Sequence, residues 1–108
     1  MIREAERSDK DQIFDLYSML VPNRKEMNVV EEQIETIRRD PNNFLLVFEE
    51  NGEILGTVTL NICLQPLHGF RPYGVVKNVI VHENYEQKLL QYIEDYCKSI
   101  ECHRIMFR

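Results

Sequence analysis

The sequence predicts a single mixed α/β domain of 108 residues, in which strands and helices alternate around one sheet. Three observations lead to this fold class. Strand-like segments flank Asn51-Gly52, a dipeptide that favours a tight hairpin because a type I′ turn needs positive φ at both positions. The β-branched run Tyr73–Val81 is typical of a strand buried on both faces. Apolar residues at helical spacing follow that run almost at once.

The N-terminal part predicts a short strand followed by a helix. Met1–Glu6 is assigned to the strand. Ser8 has the character of an N-cap, and Asp11 three residues later completes a capping-box pattern. Apolar residues at positions i, i+3, i+4 and i+7 predict one buried stripe on a helix over Asp9–Leu20, which Pro22 ends.

A second helix is predicted after a polar connection. The connection covers Val21–Asn28, and Asn28 is the predicted cap of a helix over Val29–Arg39. The segment Asp40-Pro41-Asn42-Asn43 then stops the helix, because the residue before proline avoids the helical conformation and the asparagines favour turns.

The central part predicts an antiparallel hairpin. Phe44–Glu49 and Glu53–Leu64 are its strands, and apolar residues alternate with polar ones along the second. Gln65–Pro72 is a loop that contains two prolines and a glycine.

The C-terminal part predicts a strand, a helix and a last strand: Tyr73–Val81, Glu86–Cys102 and Arg104–Arg108. The crossover through the helix makes the two strands parallel neighbours. The full order is β-α-α-β-β-β-α-β. A helix that starts beside the end of a strand offers free N–H groups and a positive dipole end, which suit a phosphate-bearing ligand.

Composition excludes several classes of function. The formal charge is −5 and Lys and Arg do not cluster, which argues against a general nucleic-acid binder. No apolar run is long enough to cross a membrane, and the N-terminus lacks the apolar segment of a signal peptide. Three cysteines outside any CxxC pattern are typical of reduced thiols in a cytoplasmic protein. No metal site is predicted, because Cys102-His103 lacks a second pair at ligand spacing.

Several short segments, in this order, resemble the GNAT superfamily of N-acetyltransferases, small bacterial-type members in particular. The resemblance covers essentially the whole chain, as one GNAT-like domain over residues 1–108. The segments that carry it are Ile2-Arg3-Glu4-Ala5, Asn51-Gly52-Glu53-Ile54-Leu55-Gly56, Leu67-His68-Gly69-Phe70-Arg71-Pro72-Tyr73, and Asn78-Val79-Ile80-Val81-His82-Glu83-Asn84-Tyr85 leading into Leu89-Leu90. It implies the acyl-CoA N-acyltransferase fold, here without the C-terminal helix and strands of the family.

The resemblance also implies how acetyl-CoA is bound. The backbone of Val79, Ile80 and Val81 would pair with the pantetheine arm, and one of their N–H groups would hold the oxyanion. The loop into the next helix would cradle the pyrophosphate, which makes Tyr85, Gln87 and Lys88 candidate cofactor-binding residues. The family reaction is direct attack of a neutral amine on the thioester.

Five further residues are candidates for the chemistry. Four of them have a structural alternative, which for Lys77 is a sheet residue that points to solvent or forms an ion pair. Asn78 could orient a water or the acceptor, or make a plain sheet hydrogen bond. Tyr73 could line the acceptor pocket or cover the core. His68 and Arg71 could bind an acidic or polar acceptor, although Arg71 could equally stabilise its loop through backbone carbonyls. Lys77 stands where many members have a glutamate base, and lysine is a poor base unless it is desolvated.

Two features depart from the family pattern. The family loop after Tyr85 reads Arg/Gln-x-x-Gly-x-Gly/Ala, whereas Glu86-Gln87-Lys88 leads directly to Leu89 here. Glu86 puts a negative charge where a pyrophosphate should lie. The family also continues past the last strand. Either the loop is deleted, or the sequence leaves out a mobile loop and the C-terminal region. We favour the second explanation, because such loops are readily disordered without ligand. An overlong gap between Tyr85 and Leu89 would indicate omission, and a continuous tight turn would indicate deletion.

Three hypotheses for function follow. The first is an acetyl-CoA-dependent N-acetyltransferase that acts on a primary amine of a small molecule or peptide, with a homodimer as the common assembly of the family. The second is a non-catalytic relative, a CoA-binding or protein-interaction module with a lost phosphate loop. The third is an unrelated partner-binding domain, which a sheet without strand splay after Tyr73 would favour.

Overall fold

The computed structural model describes residues 1–19 and 31–108. Its strands and helices follow the predicted order: β1 (Ile2–Glu4), α1 (Lys10–Tyr17), α2 (Glu31–Arg39), β2 (Asn43–Glu50), β3 (Glu53–Cys63), β4 (Tyr73–Val81), α3 (Glu83–Ser99) and β5 (Ile105–Phe107). The predicted connection Val21–Asn28, the cap Asn28, and the adjoining ends of the first two predicted helices (residues 20, 29 and 30) lie outside the described residues.

The five strands form one sheet in the order β1-β2-β3-β4-β5. The first three pairs are antiparallel and the β4–β5 pair is parallel. This arrangement confirms the predicted fold class and the crossover through the last helix. Asn51 and Gly52 have φ of 53° and 81°, as the predicted hairpin turn requires.

Apolar residues cover both faces of the sheet, so the molecule has three layers. Helix α3 packs on one face through Leu89, Ile93 and Cys97, against the even-numbered residues of β3 such as Leu60. Helices α1 and α2 pack on the other face through Ile13 and Ile34. The alternation of a strand places its residues on the two faces in turn, which is why one sheet supports both clusters.

The start of α1 differs from its prediction. The capping box of Ser8 and Asp11 is wrong. Instead, Oδ2 of Asp9 accepts the backbone N–H of Glu6 at 2.7 Å, which closes a short 3₁₀ turn over Arg7–Asp9 ahead of the helix. The guanidinium of Arg3 holds the same carboxylate at 2.7 and 3.0 Å. The Asp9 carboxylate that closes the turn is therefore held in place by Arg3 of β1 and not by a residue of α1.

Helix α3 begins and ends three residues earlier than predicted. His82 caps it: its Nδ1 accepts the N–H of Asn84 at 3.3 Å. At the other end, Glu101 takes a positive φ of 59° and the N–H of Cys102 donates to the carbonyl of Cys97 at 2.9 Å. That pattern is a Schellman-type ending, so the chain leaves the helix before Cys102.

Candidate functional site

A bulge in β4 organises the site. Lys77 lies opposite Thr59, but Ile80 lies opposite Thr57, so β4 has one residue more than β3 over this interval. Asn78 is exposed in the bulge and has φ of 53°. Asparagine is one of the few residues besides glycine that adopts this left-handed conformation readily. The extra residue reverses the phase of the strand, because side chains and backbone groups alternate with a period of two.

The phase change turns two backbone N–H groups towards an open edge. Ile80 is paired with Thr57, so its own backbone groups face β3. The N–H groups of Val79 and Val81 therefore point to the opposite side of β4. On that side β5 pairs only as far as Val76, whose carbonyl accepts the N–H of Arg108 at 2.9 Å. Within the described residues, nothing pairs with this side of β4 beyond that point.

A cavity of about 430 Å³ adjoins the end of β4 on the face that carries α1 and α2. Its wall comes from the second half of α1, the start of β3 and the end of β4: Gln12, Asp15, Leu16, Met19, Glu53, Ile54, Leu55, Ile80, Val81 and His82. Gln12 fixes this geometry, since its amide donates to the carbonyl of Gly52 at 3.3 Å and accepts the N–H of Ile54 at 2.8 Å. Most of the residues in the cavity wall are apolar.

The charged groups of the cavity wall are acidic. Asp15 and Glu53 contribute carboxylates, and no lysine or arginine lines the cavity in the described part of the chain. His82 also reaches the wall. Because its Nδ1 accepts a hydrogen bond, the neutral ring carries its proton on Nε2 and can donate from that atom but not accept. The electrostatics of the cavity therefore favour a cation.

The first turn of α3 is largely satisfied by its own chain. The N–H of Asn84 bonds to the His82 side chain, and the N–H of Tyr85 bonds to the His82 carbonyl at 2.9 Å. Glu83 and Glu86 both lie in this turn. Carboxylates there already complement the positive end of the helix dipole. An incoming phosphate would meet two negative charges and fewer free donors than the open helix end that the sequence suggested.

The three candidate cofactor-binding residues on α3 do not cluster at the open edge. The ring of Tyr85 packs on Phe48, with ring centres 4.9 Å apart. Gln87 and Lys88 line a groove with Ile2 of β1, at the opposite edge of the sheet from β4's free side. Residues 85–89 are consecutive residues of one unbroken helix, without the glycine-rich loop of the family pattern.

Tyr73 and Arg71 lie at the far end of β4 from the bulge. β4 is nine residues long, so its two ends lie about 26 Å apart. The guanidinium of Arg71 donates to the carbonyls of Glu101 and Cys102, both at 3.2 Å. That is the loop-stabilising role considered for Arg71. Tyr73 and Asn78 are therefore not brought together, and the side chain of His68 lies outside the described part of the structure.

Sequence reasoning missed the cavity. Its walls come from segments that are far apart along the chain, and no motif joins them. The hairpin signal located Glu53 and the helical pattern located Asp15, but neither shows that the end of α1 stands beside the hairpin. The positive φ of Asn78 had one weak signal, the residue type itself, within a run that otherwise reads as a plain strand.

The described residues contain neither a candidate metal site nor a candidate membrane-spanning helix. No group of three or more His, Cys, Asp or Glu side chains is close enough to hold a metal ion in residues 1–19 and 31–108. Over the same ranges, no helix has the length and apolar character needed to cross a bilayer.

The chain was then compared with known proteins. The sequence profile of the acetyltransferase (GNAT) family matches residues 10–108. Similar solved structures include a transcriptional regulator from Bacillus halodurans (21% identity, TM-score 0.83), an acetyltransferase from Trypanosoma brucei (21%, 0.81) and glucosamine-6-phosphate N-acetyltransferase from Arabidopsis thaliana (24%, 0.80). All of this chain is covered in each case, together with 80%, 81% and 80% of the respective relative. The TM-scores establish the shared fold, and the profile match establishes the family: the chain belongs to the GNAT acetyltransferases.

Proposed function

We propose that the protein transfers the acetyl group of acetyl-CoA to a primary amine of a small molecule or peptide. Family membership supports acetyl transfer. The observation that carries the proposal is that the open edge of β4, formed by the N–H groups of Val79 and Val81, adjoins the acidic cavity, whose wall includes Ile80 and Val81. A thioester laid along the edge and an amine held in the cavity would then reach each other at the end of one strand.

The backbone of β4 supplies the groups that the reaction needs. The N–H groups of Val79 and Val81 can pair with the amides of the pantetheine arm as a further strand would. One of them can donate to the carbonyl oxygen when the amine nitrogen attacks the carbonyl carbon. The carbon–sulfur bond then breaks, the thiolate leaves, and the amine proton passes to water.

The cavity favours an amine acceptor with an apolar portion. Asp15 and Glu53 raise the local concentration of a cation, and Leu16, Ile54 and Ile80 offer apolar surface to the rest of the molecule. Asp15, Glu53 and His82 are the titratable residues in the cavity wall. None of the candidate roles for Asn78 and Tyr73 is needed for this step, and both stay proposals.

The two halves of acetyl-CoA fit the chain unequally. The pantetheine arm finds unpaired N–H groups on β4, whereas the pyrophosphate would meet Glu83 and Glu86 at the start of α3. That mismatch favours a second candidate function, a non-catalytic relative that keeps the fold and binds a protein or another ligand. Binding of acetyl-CoA separates the transferase from a protein-interaction module, and release of the CoA thiol in the presence of an amine separates it from a non-catalytic CoA-binding module.

The first experiment is acetyl-CoA binding, measured as a thermal shift and by calorimetry. A ligand that binds only the folded state must raise its stability, by about 2.7 kcal/mol at one hundred times Kd. We expect Glu86→Gln to bind acetyl-CoA several-fold more tightly than the unchanged protein, because it removes one negative charge beside the pyrophosphate. Glu94→Gln, an exposed change in the middle of α3, is the matched control and should leave the affinity unchanged.

Each outcome of that experiment has a clear meaning. Binding by the unchanged chain supports the transferase. Binding only by Glu86→Gln would mean that the phosphate subsite is present but electrostatically blocked. No binding by either protein at millimolar acetyl-CoA would overturn the transferase for this sequence and leave the non-catalytic relative.

The acceptor cavity gives a second prediction. The pair of substitutions Asp15→Asn and Glu53→Gln should raise the KM for a cationic amine about fivefold and leave kcat nearly unchanged, because exposed carboxylates contribute modest attraction in the ground state. Phenethylamine is a suitable probe, with release of the CoA thiol as the readout. Asp11→Asn, on the same helix but outside the cavity wall, is the control. A KM that does not change would remove these carboxylates from the acceptor site.

The remaining expectations complete the proposal. We propose that residues 1–108 act as one domain, in the cytoplasm, with acetyl-CoA and the amine as small-molecule partners and without nucleic acid, membrane or metal. A homodimer is the assembly that the family most often adopts. Size-exclusion chromatography with light scattering tests it directly.

A further inference from the structure

A second cavity lies on the other face of the sheet, between α3 and the strands β1 and β2. Its volume is about 260 Å³. Three aromatic rings, one carboxylate and two leucines form its wall: Phe44, Tyr92, Tyr96, Glu4, Leu46 and Leu60. None of these residues lines the cavity at the end of β4. The second cavity is therefore separate from the proposed acceptor site.

Three aromatic rings line this second cavity. Phe44 and Tyr96 meet edge to face, with ring centres 5.1 Å apart and planes at 64°. Tyr92 and Tyr96 are four residues apart on α3, so their side chains project from the same side of the helix. Tyr92 is 41% exposed and lies at the entrance, whereas Leu46 and Leu60 are buried and close the bottom. The result is a small aromatic cage with an apolar floor and an opening to solvent.

The cage has one charged group, and that group has no protein partner among the described residues. Glu4 contributes its carboxylate, which has no hydrogen bond or ion pair among the described residues; only its backbone carbonyl accepts a bond, from Arg3 at 3.0 Å. Burial raises the pKa of the Tyr96 hydroxyl, and the nearby Cys97, Cys102, Tyr92 and Glu4 add to that rise in a smaller degree. The tyrosine therefore stays neutral, and the cage offers aromatic surface and one acid.

We propose that this cage binds the methylated ammonium group of a small organic cation, as in choline. The faces of aromatic rings attract a cation, most strongly where water is excluded. The carboxylate of Glu4 adds a direct Coulombic attraction, and the leucines contact the methyl groups. An anion would find no positive side chain in the wall, and a neutral apolar ligand would leave the carboxylate without a partner in a partly buried site.

Methylation is what distinguishes this ligand from the acetyl acceptor. A primary ammonium has three N–H donors that need acceptors, and the cage offers few beyond Glu4. A quaternary ammonium has no donor to satisfy. It also has no lone pair on nitrogen, so it cannot be acetylated and would occupy the cage as a ligand and not as a substrate.

The test compares two ligands of the same shape. Choline and 3,3-dimethyl-1-butanol differ in that the positive nitrogen is replaced by carbon. Titration of the full chain with each, without acetyl-CoA, is followed by calorimetry and by chemical-shift changes in a two-dimensional NMR spectrum. We expect choline to bind at least tenfold more tightly than the neutral isostere, with the largest shifts at Tyr92, Tyr96 and Glu4.

Variants tie the binding to the cage. Tyr92→Leu and Glu4→Gln should each weaken choline binding about tenfold, whereas Tyr92→Phe keeps the ring and should keep the affinity. Glu94→Gln, also on α3 but outside the wall, controls for net charge. Tyr92 is half exposed, so its variants should fold, and their thermal transitions verify this. Equal binding of the two ligands, or full affinity in Tyr92→Leu, would overturn the proposal.

Discussion

Replacing Gly56 with alanine should lower the midpoint of thermal unfolding by about 10 °C, because a small domain loses roughly 4–8 °C for each kcal/mol. A Cβ atom at this position would lie 2.5 Å from Cγ2 of Val81 and 2.8 Å from its Cβ. It would also lie 3.2 Å from the carbonyl oxygen of Ile80. Overpacking of this kind typically costs about 1–3 kcal/mol. The measurement is the circular dichroism melting curve of the variant against the unchanged protein.

The same substitution tests how closely β3 and β4 must approach at the site. Gly56 lies opposite Val81, so any shift that relieves the clash moves the strand whose N–H groups face the open edge. A double-mutant cycle isolates the contact. In a Val81→Gly background, adding Gly56→Ala should cost less than about 0.5 kcal/mol, since the two atoms that make the closest contacts are gone. An equal cost in both backgrounds would mean that the clash is not the cause.

Replacing Arg3 with methionine should destabilise the protein by about 3–5 kcal/mol, the usual cost of breaking a buried ion pair from one side. The Arg3 guanidinium bonds both oxygens of Asp9, and its Nε donates to Oε2 of Glu49 at 2.6 Å. The side chains of Arg3 and Asp9 are only 22% and 6% exposed. Methionine keeps an unbranched apolar stem but leaves Asp9 buried without its cation. Urea denaturation at pH 7 measures the loss.

The loss should shrink in acid. Burial alone would raise the pKa of Asp9, but hydrogen bonds from Arg3 and from the Glu6 N–H outweigh it and lower the pKa. A lowered pKa contributes stability above the unfolded value of about 3.9, and that stability is lost as the pH falls through the folded value. In the methionine variant, protonation instead relieves a buried, unpaired carboxylate. The gap in stability between the two proteins should therefore narrow from pH 7 to pH 4.

A surface ion pair provides the control. Arg39 is 76% exposed and its Nε lies 3.9 Å from Oε1 of Glu35. Arg39→Met should change the unfolding free energy by less than about 1 kcal/mol and show no comparable dependence on pH. If Arg3→Met behaved like Arg39→Met, the Arg3–Asp9–Glu49 contact would have no special weight in the fold.

The sequence was sufficient for the fold where local chemistry decides the structure. Asn51-Gly52 determines the hairpin, and the β-branched run that ends at Val81 determines β4 and the crossover after it. Helix boundaries were less predictable, because they depend on side-chain contacts that the helical pattern does not reveal. Arg3 positions the carboxylate that ends the first turn, and the His82 side chain starts α3 ahead of its predicted first residue.

The candidate site was less predictable than the fold. The resemblance named Val79–Val81 as the cofactor strand, and the structure adds that only alternate residues of this run face the open edge. The two cavities could not be predicted, because each joins side chains from elements that are far apart along the chain. Arg71 is a case where the resemblance and the structure differ. Its position in a family-like segment suggested that it binds the acetyl acceptor, but its guanidinium donates to carbonyls at the end of α3.

The single extra residue at Asn78 divides β4 into two parts whose side chains alternate in opposite phase. Up to Val76 its even-numbered side chains belong to the core beneath α3, and after Asn78 the odd-numbered Val79 and Val81 take over that role. Ile80 is thereby released to the cavity wall on the opposite face. Loss of that one residue would therefore exchange the two faces at the end of the strand, so that Ile80 would turn towards the core beneath α3 and Val79 and Val81 towards the cavity.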